Sequence, residues 1–179
     1  MSAKEREGTV TTSMENLLPT ATRLGALLRE RGETIAIAES STGGLISAAL
    51  LAAPGASAYF LGGAIVYTRE SRRTLLDIPD SAFAGIRGVT EQLALVLVRG
   101  TLKRFATTWS VAEVGAAGPT GNRYGDPAGH SCIAIAGPLE RAITVETGSS
   151  DRVANMRAFA AAALDLLAQG LAASPAKRS

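Results

Sequence analysis

The segment from Ile35 to Ala52 constrains the fold more than any other, because it predicts a strand, a tight turn and a helix in direct succession. An apolar run over 35–38 leads into a turn over 39–44 that is rich in serine, threonine and glycine, and helical spacing follows. The first amides of a helix lack partners within the helix and carry the positive end of its dipole. The turn therefore predicts a cradle for an anion such as phosphate, with plain helix capping as the alternative.

Helices and strands alternate along the rest of the chain. The patterns predict helices over 19–31, 42–52, 70–76, 90–105 and 151–172, a short helical or irregular piece over 79–86, and strands over 34–39, 58–67, 109–116, 131–136 and 142–147. The last two strands form a hairpin across Gly137-Pro138. Because strands that alternate with helices pair in parallel, the predicted fold class is α/β, a three-layer α/β/α domain with a mixed, mostly parallel sheet. This single domain spans 13–173, between a disordered tail over 1–12 and a second tail over 174–179.

Composition excludes several classes of site. The 179 residues include one cysteine, Cys132, and one histidine, His130, so a Cys/His zinc site and an internal disulfide are excluded, and neither metal nor cofactor is predicted. The net charge is +2 with scattered basic residues, which does not favour a nucleic-acid or membrane surface. Without a signal-peptide pattern or an apolar run of about 18 residues, the predicted location is cytoplasmic.

Single motifs leave the chemistry open. The turn over 39–44 fits neither a Walker A loop nor a GxGxxG fingerprint. A Ser/His/Asp triad built on His130 lacks a third partner. The predicted strand over 109–116 carries an internal acid, Glu113, and the loop over 115–130 holds five glycines and two prolines. Loops of this length in compact domains are usually functional.

Taken together, the motifs are more informative. The segments AESSTGGL at 38–45, PGAS at 54–57, GGAIVYTRESR at 62–72, GVT at 88–90, the loop at 115–130 and SDR at 150–152 occur in this order. The set resembles the C-terminal domain of the CinA competence-damage protein family, over about residues 20–172. That family includes nicotinamide mononucleotide deamidases.

The resemblance implies a metal-free amidohydrolase that converts nicotinamide mononucleotide into nicotinic acid mononucleotide and ammonia. It also implies a small nucleotide ligand, a homo-oligomer and a stand-alone version of the domain. The implied nucleophile is Ser57, which on local pattern alone is a turn cap. The implied catalytic set is Ser57, Tyr67 and Arg72, and the implied substrate-binding set is Ser40, Thr42, Gly43, Gly118, Pro119, Gly121 and Arg152.

The chain departs from the family pattern at Arg72, where the family has the lysine of a Ser/Lys pair. A lysine can be made neutral by desolvation and accept the serine proton, whereas a guanidinium stays protonated. Loss of a positioned base costs on the order of 10²- to 10⁴-fold in rate. Two hypotheses follow: an amidase impaired by Arg72, or a non-catalytic nucleotide-binding or scaffold protein of the same fold. Ser41, where deamidases often have cysteine, and Ser150, where glycine is usual, remove no catalytic group.

Overall fold

The structure, a computed structural model, describes residues 14–175. The helices are α1 (Leu18–Arg31), α2 (Leu45–Ala52), α3 (Arg69–Leu76), α4 (Glu91–Phe105) and α5 (Arg152–Ala173). The strands are β1 (Ile35–Glu39), β2 (Phe60–Ile65), β3 (Trp109–Ala116), β4 (His130–Ala136) and β5 (Arg141–Glu146), and short 3-10 helices cover Met14–Leu17, Ala56–Ala58 and Asp80–Phe83. The tail predicted over 1–12 and most of the tail predicted over 174–179 lie outside the described residues.

The five described strands form one sheet in the order β2-β1-β3-β4-β5. β1 pairs in parallel with both β2 and β3, while β4 is antiparallel to β3 and to β5. Four of these strands therefore run in one direction and β4 runs against them. The predicted mixed, mostly parallel sheet is confirmed, and the hairpin lies at one side of it.

Helices cover both faces of the sheet. One apolar core lies under α1, α2 and α5 and contains the fully buried Trp109 and Phe159. The other lies under α3 and α4 and is built from smaller side chains such as Val98 and Ala112. Because both faces are covered, every residue of β1 and β4 is buried. This confirms the three-layer arrangement.

Local chemistry decides where the helices begin. α2 starts at Leu45, three residues later than predicted, because Gly43 and Gly44 have φ angles of 63° and 104°, which are left-handed rather than helical. The hydroxyls of Thr68 and Thr90 accept hydrogen bonds from amides in the first turns of α3 and α4. The side chain of Asp151 does the same for α5.

Within the described part of the chain, α5 alone is long and apolar enough to cross a membrane by length and composition. It packs against β3 and β4 with Phe159, Leu164 and Leu167 buried. A helix that is buried against a sheet meets the same criteria of length and composition. The packing of α5 on the sheet therefore accounts for its apolar face.

Candidate functional site

The turn after β1 is organised by two buried acidic side chains, of which Glu39 is the first. Its Oε2 accepts hydrogen bonds from the amides of Gly44 at 2.9 Å and Ile46 at 3.1 Å. Its Oε1 accepts from the amide of Ser47 at 2.8 Å and from the Ser47 hydroxyl at 2.6 Å. The positive end of α2 is thus occupied by a carboxylate of the chain itself.

The second acidic group is Glu113, which rises from the middle of β3 and is fully buried. Its Oε2 accepts from the Ser40 amide at 3.1 Å, the Thr42 amide at 3.0 Å and the Thr42 hydroxyl at 3.0 Å. Its Oε1 is bonded to the hydroxyls of Ser41 and Ser131. Burial raises the pKa of Glu113, and the hydrogen bonds from the Ser41 hydroxyl and the turn amides offset only part of that rise.

These bonds correct the expectation of a phosphate cradle. The amides of Ser40, Thr42 and Gly44 already donate to Glu113 or Glu39, and the Gly43 amide donates to the Ser40 carbonyl at 3.3 Å. These four amides are therefore used inside the turn and are not available to an anion. The group that the turn presents outward is the Ser40 side chain.

Replacing Glu39 by glutamine is expected to lower the free energy of unfolding by about 1 kcal/mol, because the charge at the start of α2 and one accepting oxygen are lost. Urea unfolding followed by circular dichroism measures this change. The matched control is Glu30→Gln on the exposed side of α1, which should leave stability unchanged. Equal losses in the two variants would show that the buried carboxylate contributes nothing specific.

A cavity of about 470 Å³ opens at the carboxyl ends of β1 and β3, next to the turn. Ligands in open α/β sheets bind at this edge of the sheet. Three of the predicted site residues line the cavity, namely Ser40, Tyr67 and Arg72. The structure therefore brings the turn serine, the strand tyrosine and Arg72 to one site.

The cavity also gathers positive charge that the sequence analysis missed. Arg69 and Arg72 are three residues apart and share one face of α3, and Arg123 reaches the cavity from the loop between β3 and β4. Arg72 is the least exposed of the three: its Nε donates to the Val66 carbonyl at 3.3 Å, and its guanidinium carbon lies 5.9 Å from the centre of the Phe83 ring. Burial lowers the pKa of Arg72, with Tyr124 opposing and Arg69 adding to that effect. A guanidinium nevertheless stays protonated in proteins.

The loop between β3 and β4 is shaped by Asn122 and Asp126. Asn122 Nδ2 donates to Asp126 Oδ2 at 2.8 Å, and Asn122 Oδ1 accepts from the Tyr124 amide at 2.9 Å. Arg87 donates to Asp126 Oδ1 at 2.5 Å and to the Tyr124 carbonyl at 2.9 Å. Tyr124 packs so closely on Gly88 that a Cβ there would overlap its ring. These contacts hold the Tyr124 ring against the cavity.

Ser57 does not lie at this site, which corrects its predicted grouping with Tyr67 and Arg72. It sits exposed in the 3-10 helix that precedes β2, whereas Tyr67 and Arg72 follow that strand. The six residues of β2 at about 3.3 Å each separate the two ends by about 20 Å. Ser57 therefore lies at the amino end of β2, on the side of the sheet away from the cavity.

The other predicted binding residues do not line the cavity. The residues in question are Thr42, Gly43, Gly118, Pro119, Gly121 and Arg152. Arg152 Nη1 donates to the Gly118 carbonyl at 2.6 Å, and Asn155 Nδ2 donates to the Ala117 carbonyl at 2.8 Å. The start of α5 thus anchors the base of the loop.

His130 and Cys132 have local partners. His130 Nδ1 is bonded to Glu146, its Nε2 lies 3.1 Å from the Val89 carbonyl, and the Cys132 thiol is buried. Over residues 14–175, no group of three or more His, Cys, Asp or Glu side chains could hold a metal ion.

Comparison with known proteins decides the family. The sequence profile of the CinA C-terminal domain matches residues 18–171. The chain belongs to the CinA family. The resemblance drawn from the motifs is thereby confirmed. The residue roles that it implies stay predictions.

CinA-like proteins are similar over much of this chain. One from Prochlorococcus marinus is 43% identical over 112 residues, which are 63% of this chain and 26% of that protein. One from Myxococcus xanthus is 39% identical over 155 residues, which are 83% of this chain and 36% of that protein. The chain thus spans about a quarter to a third of the length of these CinA relatives.

Solved structures of the CinA type share the fold. The competence/damage inducible protein CihA from Agrobacterium tumefaciens is 27% identical and superposes with a TM-score of 0.80, covering 96% of this chain and 99% of that chain. A competence-damaged protein (CinA) superfamily protein from Klebsiella pneumoniae is also 27% identical, with a TM-score of 0.81 over 88% of this chain and 98% of that chain.

Proposed function

We propose that the cavity binds a pyridine mononucleotide and that the chain is a nicotinamide-nucleotide amidase whose turnover is impaired by Arg72. The observation that carries this proposal is the meeting of Ser40, Tyr67 and Arg72 around one cavity with two further arginines on its wall. Arginines suit a phosphate, and the serine and tyrosine supply the hydroxyls that amide hydrolysis needs. The proposal also includes a homo-oligomer, on the strength of the resemblance, and a cytoplasmic location without nucleic-acid or membrane partners, on the strength of the charge and signal patterns of the sequence.

Ser40 is the better candidate nucleophile. Its hydroxyl makes no hydrogen bond within residues 14–175 and lines the cavity, while its amide is held by Glu113. A hydroxyl that faces the cavity from a fixed backbone can meet a bound carboxamide, and catalysis also requires a base within reach of it. Ser57, at the far end of β2, does not line the cavity.

The proposed reaction follows acyl transfer to serine. The Ser40 Oγ attacks the carboxamide carbon and gives up its proton, and the resulting tetrahedral intermediate expels ammonia, which takes a proton as it leaves. Water then hydrolyses the Ser40 ester, so that a carboxylate is released and the hydroxyl is restored. Both half-reactions need a group that takes a proton from the attacking oxygen and later returns it.

Arg72 bears on this step because it occupies the place of the family lysine. Its guanidinium cannot accept the proton, so Tyr67 or a water molecule has to take that part. The second candidate function, a non-catalytic nucleotide-binding or scaffold protein, is favoured by the same residue. In that case the ligand binds and ammonia is not released.

The test is ammonia release from nicotinamide mononucleotide, coupled to glutamate dehydrogenase. Slow release is expected from the wild-type chain, loss of release in Ser40→Ala, and no change in the exposed matched control Ser57→Ala. Loss in Ser57→Ala with activity kept in Ser40→Ala would overturn the assignment of the nucleophile. Nucleotide binding without any release would support the second function instead.

A further inference from the structure

The cavity holds a positive charge that the chain does not neutralise. Over residues 14–175, neither Arg69, Arg72 nor Arg123 forms an ion pair with a carboxylate, and none of the residues that line the cavity is acidic. By contrast, Arg73 on the same helix is paired with Glu70. Three cations beside one another repel unless an anion lies between them.

Arg72 supplies the inner charge. Its Nε is engaged by the Val66 carbonyl and its plane lies near the Phe83 ring, whereas its two terminal nitrogens make no hydrogen bond within the described part of the chain. A partly buried guanidinium that is fixed at one nitrogen presents the other two as a fork, and a carboxylate matches such a fork with two parallel bonds.

Arg69 and Arg123 supply the outer charge. Both are exposed, and Arg123 Nη2 donates to the Tyr124 hydroxyl at 3.1 Å. That hydrogen bond lowers the pKa of Tyr124, and the charges of all three arginines act in the same direction. The mouth of the cavity therefore suits a second anionic group, such as a phosphate.

A carboxamide is a poor match for the inner end. It is neutral, it offers one accepting oxygen, and its NH₂ group is a donor that would face a guanidinium made only of donors. A carboxylate offers two accepting oxygens and the charge that Arg72 lacks. The amide and acid forms of the nucleotide differ only in this group. A comparison of their affinities therefore separates the effect of Arg72 from that of Arg69 and Arg123.

From this geometry we infer that the wild-type cavity selects the acid form of a pyridine mononucleotide, with a carboxylate at Arg72 and a phosphate at Arg69 and Arg123, over the carboxamide form. This inference rests on the proposed function, because it takes the pyridine nucleotide from it. It makes the product-type acid the preferred ligand of the cavity, with the amide bound more weakly.

The test is calorimetric titration with nicotinic acid mononucleotide and with nicotinamide mononucleotide. The acid is expected to bind about 10- to 100-fold more tightly, which is the effect of a charge-assisted hydrogen-bonded pair. Arg72→Gln should remove that preference, Arg72→Lys should reduce it because the two-nitrogen fork is lost, and the matched control Arg73→Gln should leave it intact. Arg69→Gln should weaken both ligands by similar factors.

The outcomes distinguish the two proposals. If both nucleotides bind and the amide binds equally or more tightly, the inference is overturned while the proposed function stands. If neither binds at millimolar concentration, both fail. If Arg72→Gln keeps the preference for the acid, Arg72 does not read the carboxylate and the inference is again overturned.

Discussion

Replacing Arg72 by lysine is expected to raise ammonia release from nicotinamide mononucleotide by about 10²- to 10⁴-fold, the contribution of one positioned general base. The surroundings of Arg72 explain why a lysine would work there. Partial burial and the nearby charge of Arg69 both lower the pKa of the group at this position. A lysine starts from a lower pKa than an arginine and becomes neutral under the same influences, so it can accept the proton of Ser40.

The measurement is the initial rate of ammonia release by Arg72→Lys against wild type. The double variant Arg72→Lys with Ser40→Ala should fall back to the background rate, which ties the gain to the proposed nucleophile. Arg73→Lys, on the same helix but paired with Glu70, controls for a general effect of added lysine. A silent Arg72→Lys variant that still binds the nucleotide would mean that the cavity lacks more than a base.

Local sequence signals predicted the elements well. β3 was predicted at its observed bounds, where a mostly apolar segment precedes the glycine-rich loop, and α4, predicted over 90–105, is observed over Glu91–Phe105. The start of α2 was placed too early, since the left-handed φ angles of Gly43 and Gly44 are set by Glu39 and Glu113 rather than by the turn alone. The bond to Glu113 joins residues that are far apart in the chain.

The site was predicted less completely, for a topological reason. Ser57 and Ser40 both lie in turns, but only Ser40 follows a strand, and parallel strands gather at one edge the residues that follow them. Applied to Ser57, this rule would have excluded it. The contribution of Arg123 could not be read in the same way, because it depends on how Arg87 and Asp126 position the loop.

Glu113 shows how one buried group links the fold to the site. An acid within an apolar strand is a signal in itself, because burying a carboxyl costs free energy unless partners satisfy it. Its partners are the turn that carries Ser40. The position of the Glu113 carboxyl therefore also fixes the backbone of Ser40, the candidate nucleophile.

Replacing Glu113 by leucine is expected to destabilise the fold by about 3–5 kcal/mol, a large share of the stability of a typical domain. The amides of Ser40 and Thr42 and the Thr42 hydroxyl would lose their acceptor inside the core, and each unsatisfied buried donor costs about 1–3 kcal/mol. Glu113→Gln keeps an oxygen for these donors and is expected to cost far less. Urea unfolding measures both. Similar losses in the two variants would show that the shape of the side chain matters and its hydrogen bonds do not.

The pH dependence of stability shows whether the Glu113 carboxyl is protonated or ionised in the folded protein. Because burial raises the folded-state pKa of Glu113 above the ordinary value of 4.5, the folded protein binds more protons than the unfolded chain. The contribution of Glu113 to stability is therefore full below the unfolded pKa and falls as the pH rises through the folded pKa. Glutamine does not titrate, so the stability of wild type relative to Glu113→Gln should fall as the pH rises above 4.5. A relative rise over that range would mean that the hydrogen bonds of the turn outweigh desolvation and that Glu113 is ionised in the folded protein.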